Sequence, residues 1–318
     1  NPVITLPEGV STGEDHHFRD PKVWQHEGRY YAVVGAQTAD EVGQVLVFES
    51  EDLENWQFKH VMAKAHGNQG FMWECPNFAE FDGHEALILS PQGVKPEGKR
   101  YLNLHQSVSM LGKMDYESGI FYHDAFHILD HGFDFYAPQV VQHEGRHILL
   151  GWMGMPDADY TNPVDFGWQH CLTVPRQLTR DGDRLLQNPV AELAALRGAA
   201  HDLPDGETVS AAPCFDLLAA PAGNFTLTVA DGVQLAYCEA ERSCTLYFTN
   251  AAMAYGRTSR HVVLDAPCRR LRVVGDASSL EVFLNDGAAV LSTRYYPAPG
   301  PEALCLTGCC GTLYEITL

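Results

Sequence analysis

The chain has no hydrophobic run long enough to cross a bilayer and is poor in basic residues. No apolar stretch approaches the ~18 residues that a membrane helix requires. Its 21 Lys and Arg residues are outnumbered by 41 Asp and Glu residues, which gives a net charge of −20. Nucleic acid and anionic membrane surfaces repel such a chain. We therefore expect neither nucleic acid nor a membrane among its partners.

A disulfide framework is also missing. The nine cysteines are an odd number in a chain of 318 residues, whereas disulfide-rich domains are short and carry paired cysteines. The densest group, Cys305, Cys309 and Cys310, has neither a CxxC pair nor a histidine partner, so strand packing is favoured over a metal site. These features predict a reducing compartment, the cytoplasm, and a protein without metal or cofactor.

Helical periodicity is almost absent, and short strand-like runs dominate. β-branched and aromatic runs alternate with Gly, Asp-Gly and Pro turns, which is typical of an all-β chain. Tyr30–Val34 and Gln44–Phe48, for example, are predicted as neighbouring strands. The one helical stretch is Val190–Arg197, and we expect it to mark a boundary. The predicted division is a first domain over 1–189, a linker helix over 190–200 and a second domain over 201–318.

Three segments repeat one pattern, in which a proline is followed seven residues later by a glycine and then by an apolar run. The prolines lie at positions 21, 76 and 138, so they are 55 and 62 residues apart. Repeats at this spacing predict blades of a β-propeller, each a small antiparallel sheet, around one axis. Residues just before the prolines then converge on that axis. The segments are Phe18–Pro21 with Gly28, Trp73–Pro76 with Gly83, and Phe135–Pro138 with Gly145.

The second domain has a different pattern, with tight hairpins in place of the proline repeats. Asp231-Gly232 and Asn285-Asp286-Gly287 are hairpin turn signals. In Ser279–Asn285 the aliphatic residues alternate with others, as expected for a strand of a β-sandwich. No converging polar groups are visible in this half of the sequence. We expect a packing module that supports the propeller.

Two of the repeated segments, those of Asp20 and Glu74, carry a carboxylate just before the proline, and a pair of converging carboxylates is typical of glycoside hydrolases. Glu74 lies in a segment, Gly70–Phe78, that is otherwise free of charge. Apolar surroundings favour the neutral form of a carboxyl group, and a neutral acid can protonate a leaving glycosidic oxygen. The alternative is a glutamate paired with an arginine. Because Glu74 lies in the repeated segment that corresponds to that of Asp20, the acid/base interpretation is favoured.

Other polar and aromatic residues accompany the two carboxylates. Arg19 and Asp20 together offer donors and an acceptor for vicinal sugar hydroxyls, or else form a local ion pair. Tyr136 is the counterpart in the third repeat, where it can hydrogen-bond a carboxylate or a sugar. Trp152 can stack on a sugar ring, although packing in the core is an equally good interpretation.

One apparent metal motif belongs to the repeat instead. His143-Glu144-Gly145-Arg146-His147 fits the zinc-protease pattern HExxH, which requires a helix to bring both histidines onto one face. Here it aligns with His26–Tyr30, the turn of the first repeat. We therefore predict a turn before a strand, and no zinc site.

At these residues the chain resembles glycoside hydrolase family 32, the fructosidases that include invertase. Within the family the likeness is greatest to bacterial sucrose-6-phosphate hydrolases. The resemblance runs through nearly the whole chain, and its first two motifs are the most diagnostic. The motifs are Phe18–Trp24, Met72–Pro76, Ser90–Gly93, Gly132–Gln139, Gly151–Gly154, His170–Arg176 and Ser279–Asn285.

The resemblance implies a five-bladed propeller, of which about three blades are present, followed by a β-sandwich, with no metal required. It makes Glu74 the general acid/base and Asp20 the transition-state stabiliser that binds two fructosyl hydroxyls, with Arg19 beside it. Cys75 would tune the proton affinity of Glu74, and Tyr136 would support the site.

The chain departs from the family pattern at its start. The family's nucleophile is an aspartate in an Asn-Asp-Pro-Asn-type segment, which the sequence lacks. The chain begins at Asn1-Pro2-Val3-Ile4, without an initiator Met or a signal peptide. We expect it to be the C-terminal part of a longer hydrolase whose nucleophile lies upstream of residue 1. Residues 1–318 alone are then expected to be inactive.

The leading hypothesis is a retaining β-fructofuranosidase that acts on sucrose, sucrose 6-phosphate or fructo-oligosaccharides. For a phosphorylated substrate, the loop Gly93–Tyr101 supplies Lys95, Lys99 and Arg100, although solvated loop charge is the favoured interpretation. Two alternatives stay open: a degenerate hydrolase that binds saccharides without catalysis, and a fructosyltransferase. The sequence leaves the oligomeric state open.

Overall fold

Three antiparallel sheets make up the first half of the chain in the computed structural model, which describes residues 3–10, 17–81, 83–165 and 167–317. The first sheet contains, in spatial order, β1 (Phe18–His26), β2 (Arg29–Gln37), β3 (Gly43–Ser50) and β4 (Gln57–Lys64). The second contains β5 (Met72–Phe81), β6 (His84–Gln92), β7 (Val108–Asp115) and β8 (Ile120–His123), and β9 (His127–Ile128) also pairs with β7. The third contains β10 (Tyr136–His143), β11 (Arg146–Trp152), β12 (Arg176–Asp181) and β13 (Arg184–Pro189). Pairing of β2 with β3 confirms the predicted neighbouring strands.

The repeated glycine closes the first hairpin of each sheet. Glu27 and Gly28 have φ angles of 46° and 82°, and Glu144 and Gly145 have 49° and 74°. Two central residues with positive φ match a type I′ turn, whose twist suits a hairpin. The turn predicted at the HExxH-like segment is therefore confirmed. Its two histidines lie on the adjacent strands β10 and β11, not on one helical face.

The repeated proline marks a bulge in the first strand of each sheet. Strand register shifts between Arg19 and Lys22, between Glu74 and Asn77, and between Tyr136 and Gln139. Proline has no N–H to donate to the ladder, which confines it to edges and bulges. The residue before each proline has a positive φ, a conformation that costs a non-glycine residue about 1–3 kcal/mol. Bulges of this kind re-aim side chains beside active sites. The strained residues are Asp20 (63°), Cys75 (48°) and Ala137 (47°).

The bulged strands lie next to one another, so the three sheets are arranged as blades. β5 contacts both β1 and β10. The buried Asn77 amide donates to Pro138 O at 2.9 Å and accepts from Val140 N at 3.0 Å. Lys22 Nζ donates to Val140 O at 2.7 Å. Apolar residues fill the space between blades: Val33, Trp73 and Leu87 belong to one buried cluster and Ile88, Leu149 and Leu178 to the next.

The second half of the chain forms two six-stranded sheets, the β-sandwich. One sheet has the order β14-β25-β16-β21-β22-β23 and the other β15-β24-β17-β18-β19-β20, and their facing sides share one buried core. A four-residue helix, α1 (Ala251–Ala254), follows β19. Among the described residues, no helix is long and apolar enough to span a membrane. The strands are β14 (Arg197–Leu203), β15 (Thr208–Ala211), β16 (Cys214–Ala219), β17 (Phe225–Val229), β18 (Val233–Cys238), β19 (Ser243–Phe248), β20 (Ser259–Val263), β21 (Leu271–Asp276), β22 (Ser279–Leu284), β23 (Ala289–Arg294), β24 (Glu302–Thr307) and β25 (Gly311–Ile316).

The segment predicted as a linker helix is only partly helical. A 3₁₀ helix spans Ala191–Leu196, and strand β14 already begins at Arg197, inside the predicted 190–200. Such a short helix gains little from its own hydrogen bonds, whereas pairing with β25 and an Arg197 Nε–Asp216 Oδ2 bond of 2.8 Å stabilise the strand. The division at 189 stays a prediction.

The expectation that no polar groups converge in the second domain was wrong. Arg176, fully buried in β12, donates to Glu281 Oε2 at 2.6 and 3.0 Å, to Asp130 Oδ2 at 3.0 Å and to Ser292 Oγ at 2.6 Å. Glu281 and Ser292 belong to the sandwich. We name Arg176, Glu281, Asp130 and Ser292 the interface network. The alternating pattern of β22 predicts one exposed face, but all six of its residues are buried. One face packs in the sandwich core and the other packs against the propeller.

A second ion pair lies nearby in the same interface. Asp134 accepts from Arg257 Nε and from a terminal nitrogen of the same guanidinium, both at 2.8 Å, and both side chains are buried. The backbones of Gly132 and Ser292 also approach closely at this interface. A Cβ at Gly132 would lie only 2.0 Å from the carbonyl oxygen of Ser292, so a side chain does not fit there. The two halves of the chain therefore join through buried, hydrogen-bonded charge.

Glu302 makes the stability of the sandwich depend on pH. Its Oε2 accepts from the Tyr295 hydroxyl at 2.6 Å, whereas Oε1 is buried without a partner among the described residues. Burial raises the pKa of Glu302 from 4.5 to about 7. The unfolded chain therefore loses this proton first, and the free energy of unfolding falls as pH rises from about 4.5 to about 7.

We expect Glu302→Gln to stabilise the protein at pH 8 by roughly 2–3 kcal/mol, because an amide carries no buried charge. At pH 4 the variant gains nothing, since the wild-type carboxyl is then neutral in both states. Thermal unfolding at the two pH values measures the difference. An equal change at pH 4 and pH 8 would refute a titrating Glu302.

Candidate active site

Three blades contribute side chains to one polar cluster around Glu74. Arg19, from the bulge of β1, donates to Glu74 Oε1 through Nε at 3.1 Å and through a terminal nitrogen at 2.7 Å. Tyr136, at the start of β10, donates its hydroxyl to Glu74 Oε2 at 2.6 Å. The Glu74 side chain is 16% exposed and that of Arg19 is 33% exposed. The carboxylate is thus held from both sides and still reaches solvent.

Asp20 lies against the residue that follows Glu74. Its Oδ2 accepts from the backbone N–H of Cys75 at 3.0 Å and from the Cys75 thiol at 3.6 Å. Burial, followed by the negative charges of Asp20 and Glu74, raises the pKa of Cys75 to about 12. The thiol therefore stays protonated near pH 7 and acts as a donor to Asp20. The two carboxylates belong to one cluster, with Cys75 between them.

This environment predicts an unreactive thiol at position 75. At pH 8 a pKa of about 12 leaves roughly one part in 10⁴ as the reactive thiolate. We expect iodoacetamide to modify Cys75 at least about 100-fold more slowly than Cys310, which is exposed. Peptide mass spectrometry over a time course measures both rates in one sample. Equal rates would show that Cys75 is not the buried, neutral donor described above.

Tyr136 and Trp152 face each other across the first hairpin of the third blade. They are paired in register between β10 and β11. Burial, and then Glu74, raises the pKa of Tyr136, so its hydroxyl keeps the proton that it donates. Trp152 is half-buried, and its ring makes an edge-to-face contact with His170 at 4.9 Å. One edge of the Trp152 ring is therefore packed against His170.

The structure brings five of the predicted site residues together: Arg19, Asp20, Glu74, Cys75 and Tyr136. It differs from the sequence prediction in the surroundings of Glu74. Glu74 is not in purely apolar surroundings, because Arg19 from another blade carries a positive charge to it. The arginine pairing, which the sequence left as the alternative, is therefore present. Lys95, Lys99 and Arg100 lie on an exposed loop, where Arg100 contacts the Tyr101 ring and hydroxyl.

Sequence reasoning missed three residues that shape the cluster. Asn77 ties the second blade to the third, and Lys22 ties the first to the third. Both immediately follow the repeat's bulge, so their position was a usable signal. His105 lies beside Tyr136, with ring centroids 5.9 Å apart. It belongs to no repeated motif, and no sequence signal points to it.

Propeller blades packed on a β-sandwich are also the architecture of solved glycoside hydrolases that this structure matches. The structure matches a sucrose-6-phosphate hydrolase from Lactobacillus gasseri with a TM-score of 0.89 and 27% identity, covering 100% of this chain and 69% of that one. It matches the Bombyx mori GH32 β-fructofuranosidase with a TM-score of 0.88 and 29% identity, covering 99% and 68%. The predicted fold class is confirmed.

The chain belongs to glycoside hydrolase family 32. Residues 1–189 match the model "Glycosyl hydrolases family 32 N-terminal domain", and residues 216–308 match "Glycosyl hydrolases family 32 C terminal". Sucrose-6-phosphate hydrolases of Bacillus subtilis and Klebsiella pneumoniae are 38% and 40% identical over 94% of this chain. The chain spans 64% of the length of each of these two relatives.

Proposed function

We propose that the protein, in its full natural length, is a retaining β-fructofuranosidase that hydrolyses sucrose or sucrose 6-phosphate. The observation that carries this proposal is the cluster in which Arg19 and Tyr136 hold Glu74 from either side while Cys75 holds Asp20. The names of the relatives, which include a raffinose invertase of Escherichia coli at 34% identity, support this substrate class.

Glu74 is proposed as the general acid/base. It reaches solvent, and its two oxygens are fixed by donors on different blades, so its orientation toward a substrate is set before binding. In the first step it gives a proton to the leaving glycosidic oxygen, and in the second it takes a proton from the attacking water. Arg19 and Tyr136 hold the carboxylate in place through both changes of charge.

Asp20 is proposed to stabilise the transition state by binding fructosyl hydroxyls, and Trp152 to bind a sugar face. A retaining mechanism also needs a nucleophilic carboxylate about 5–5.5 Å from the acid/base. We assign that role to an aspartate outside residues 1–318, as the family resemblance implies. Its attack on the anomeric carbon forms a fructosyl-enzyme, which water then hydrolyses.

Water as the acceptor distinguishes this proposal from a fructosyltransferase. Lys95, Lys99 and Arg100 are exposed on their loop, which agrees with solvated loop charge, and we assign them no role in substrate selection. Because all nine cysteines are free thiols, we propose a reducing compartment, the cytoplasm.

The direct test is an assay of the full-length protein on sucrose and on sucrose 6-phosphate, with product analysis. We expect fructose and glucose, or glucose 6-phosphate, in equal amounts. Fructo-oligosaccharides as the main product would indicate transfer. Binding of sucrose without any product would indicate a saccharide-binding protein and refute the proposal.

A further inference from the structure

A buried imidazole lies beside the carboxylate cluster, and among the described residues the Leu104 backbone is near it but forms no hydrogen bond of standard geometry with it. His105 is 6% exposed, and neither Nδ1 nor Nε2 has a hydrogen-bond partner within the described ranges. Buried polar groups are almost always paired, and an unpaired one costs about 1–3 kcal/mol. In a candidate active site, a buried side chain without a hydrogen-bond partner indicates that a bound ligand supplies the missing hydrogen bond.

His105 is placed relative to Glu74 by its contacts with Gln92 and Tyr136. His105 forms a β-bridge with Gln92, the last residue of β6, and its ring lies beside that of Tyr136. Tyr136 binds Glu74 Oε2, whereas Arg19 binds Oε1. His105 therefore lies on the Tyr136 side of the carboxylate, whereas Asp20 is bound at Cys75 and is not among the charges that act on His105.

The carboxylate of Asp157 lies near the same imidazole. Nε2 of His105 is 4.0 Å from Asp157 Oδ2, and the Asp157 side chain is 85% exposed. This gap is too long for a direct hydrogen bond, but a single hydroxyl to one side of the line between the two atoms can lie about 2.8 Å from each. Burial lowers the pKa of His105 against the opposing effects of Glu74 and Asp157. A hydroxyl can donate to the Asp157 carboxylate and accept from the N–H of a neutral imidazole, because it has one donor and two acceptor lone pairs.

We propose that His105, together with Asp157, binds a hydroxyl of the sugar that leaves, and so selects the leaving group. This inference rests on the proposed function, in which Glu74 protonates the leaving oxygen and Asp20 binds the fructosyl unit. The leaving sugar then lies on the side of Glu74 away from Asp20, which is the side of His105. The chemical class that fits is a hexosyl group with a free hydroxyl.

His105→Phe in the full-length protein tests the proposal, because phenylalanine keeps a buried ring and removes both nitrogens. The two substrates are sucrose and methyl β-D-fructofuranoside, whose methanol leaving group has no further hydroxyl. We expect kcat/KM for sucrose to fall roughly 10- to 100-fold, and kcat/KM for the methyl fructoside to change by less than about two-fold. His84→Phe is the matched control, since its Nδ1 is also buried without a partner, at the opposite end of β6.

An equal loss on both substrates would overturn the proposal in favour of a structural role for His105. No loss on either substrate would show that His105 does not bind the leaving sugar. If the wild-type protein cleaves neither of these fructosides nor sucrose 6-phosphate, the proposed function fails, and binding is measured instead. D-glucose titrated into protein labelled with ¹⁵N-histidine should then shift the His105 ring signals in the wild type. Unmoved signals would overturn the binding inference as well.

Discussion

Glu74→Gln in the full-length protein is expected to lower the turnover of sucrose by about 10²–10⁴-fold, the usual contribution of a general acid/base. Glutamine keeps the size of the side chain and an oxygen that accepts from Arg19 or Tyr136, but it cannot give or take the proton. The loss should appear in kcat, with a smaller change in KM, because ground-state binding of the sugar is retained. Steady-state kinetics on sucrose measure both quantities.

Glu80→Gln is the matched control for this substitution. Glu80 lies on the same strand, β5, and its side chain is 48% exposed where it contacts His26. Its replacement should leave kcat within about two-fold of the wild type. A Glu74→Gln variant with near-normal turnover would remove Glu74 from the acid/base role, whatever its position in the cluster.

Arg176→Met is expected to lower the free energy of unfolding by about 3–5 kcal/mol. Methionine fills much of the same space but leaves Glu281 and Asp130 as buried charges without their cation, and an uncompensated buried charge is strongly destabilising. Burial already raises the pKa of Glu281 against the effect of Arg176, so loss of the guanidinium removes a main reason for it to ionise. The urea concentration at the unfolding midpoint measures the change.

Arg146→Met provides the comparison within the same blade. Arg146 pairs with Glu192 at 2.5 Å, but the Glu192 side chain is 63% exposed, and exposed pairs contribute about 0–1 kcal/mol. If both variants lose the same small amount of stability, the interface network does not stabilise the joined domains as described.

The local parts of the fold were predictable from the sequence because their signals are local. Pro21, Pro76 and Pro138 each require a bulge where no N–H is needed, and a glycine seven residues later permits the hairpin turn. That frame placed Asp20 and Glu74 in corresponding segments but not in equivalent positions. Asp20 directly precedes its proline, as Cys75 does, whereas Glu74 lies two residues before its proline, as Arg19 and Tyr136 do. The same logic revealed that the HExxH-like segment is a turn.

Contacts between distant residues were not predictable from the same signals. Arg19 reaches Glu74 across 55 residues, and the charge-free segment around Glu74 gave no sign of this cation. Arg176 and Glu281 are 105 residues apart, and β22 looked half-exposed because its second face is covered only in the folded chain. Neither ring nitrogen of His105 has a hydrogen-bond partner in the part of the chain that the structure describes, a property that no sequence pattern encodes.

In the proposed function, Glu74 acts as acid/base in a retaining, two-step reaction on a fructosyl unit. Azide rescue of Glu74→Ala in the full-length protein tests this role, with p-nitrophenyl β-D-fructofuranoside, whose leaving group needs no protonation. Azide attacks a fructosyl-enzyme without base assistance, so we expect faster turnover and a β-fructosyl azide of retained configuration. An α-configured azide, or no rescue of a variant whose wild-type parent is active, would contradict it.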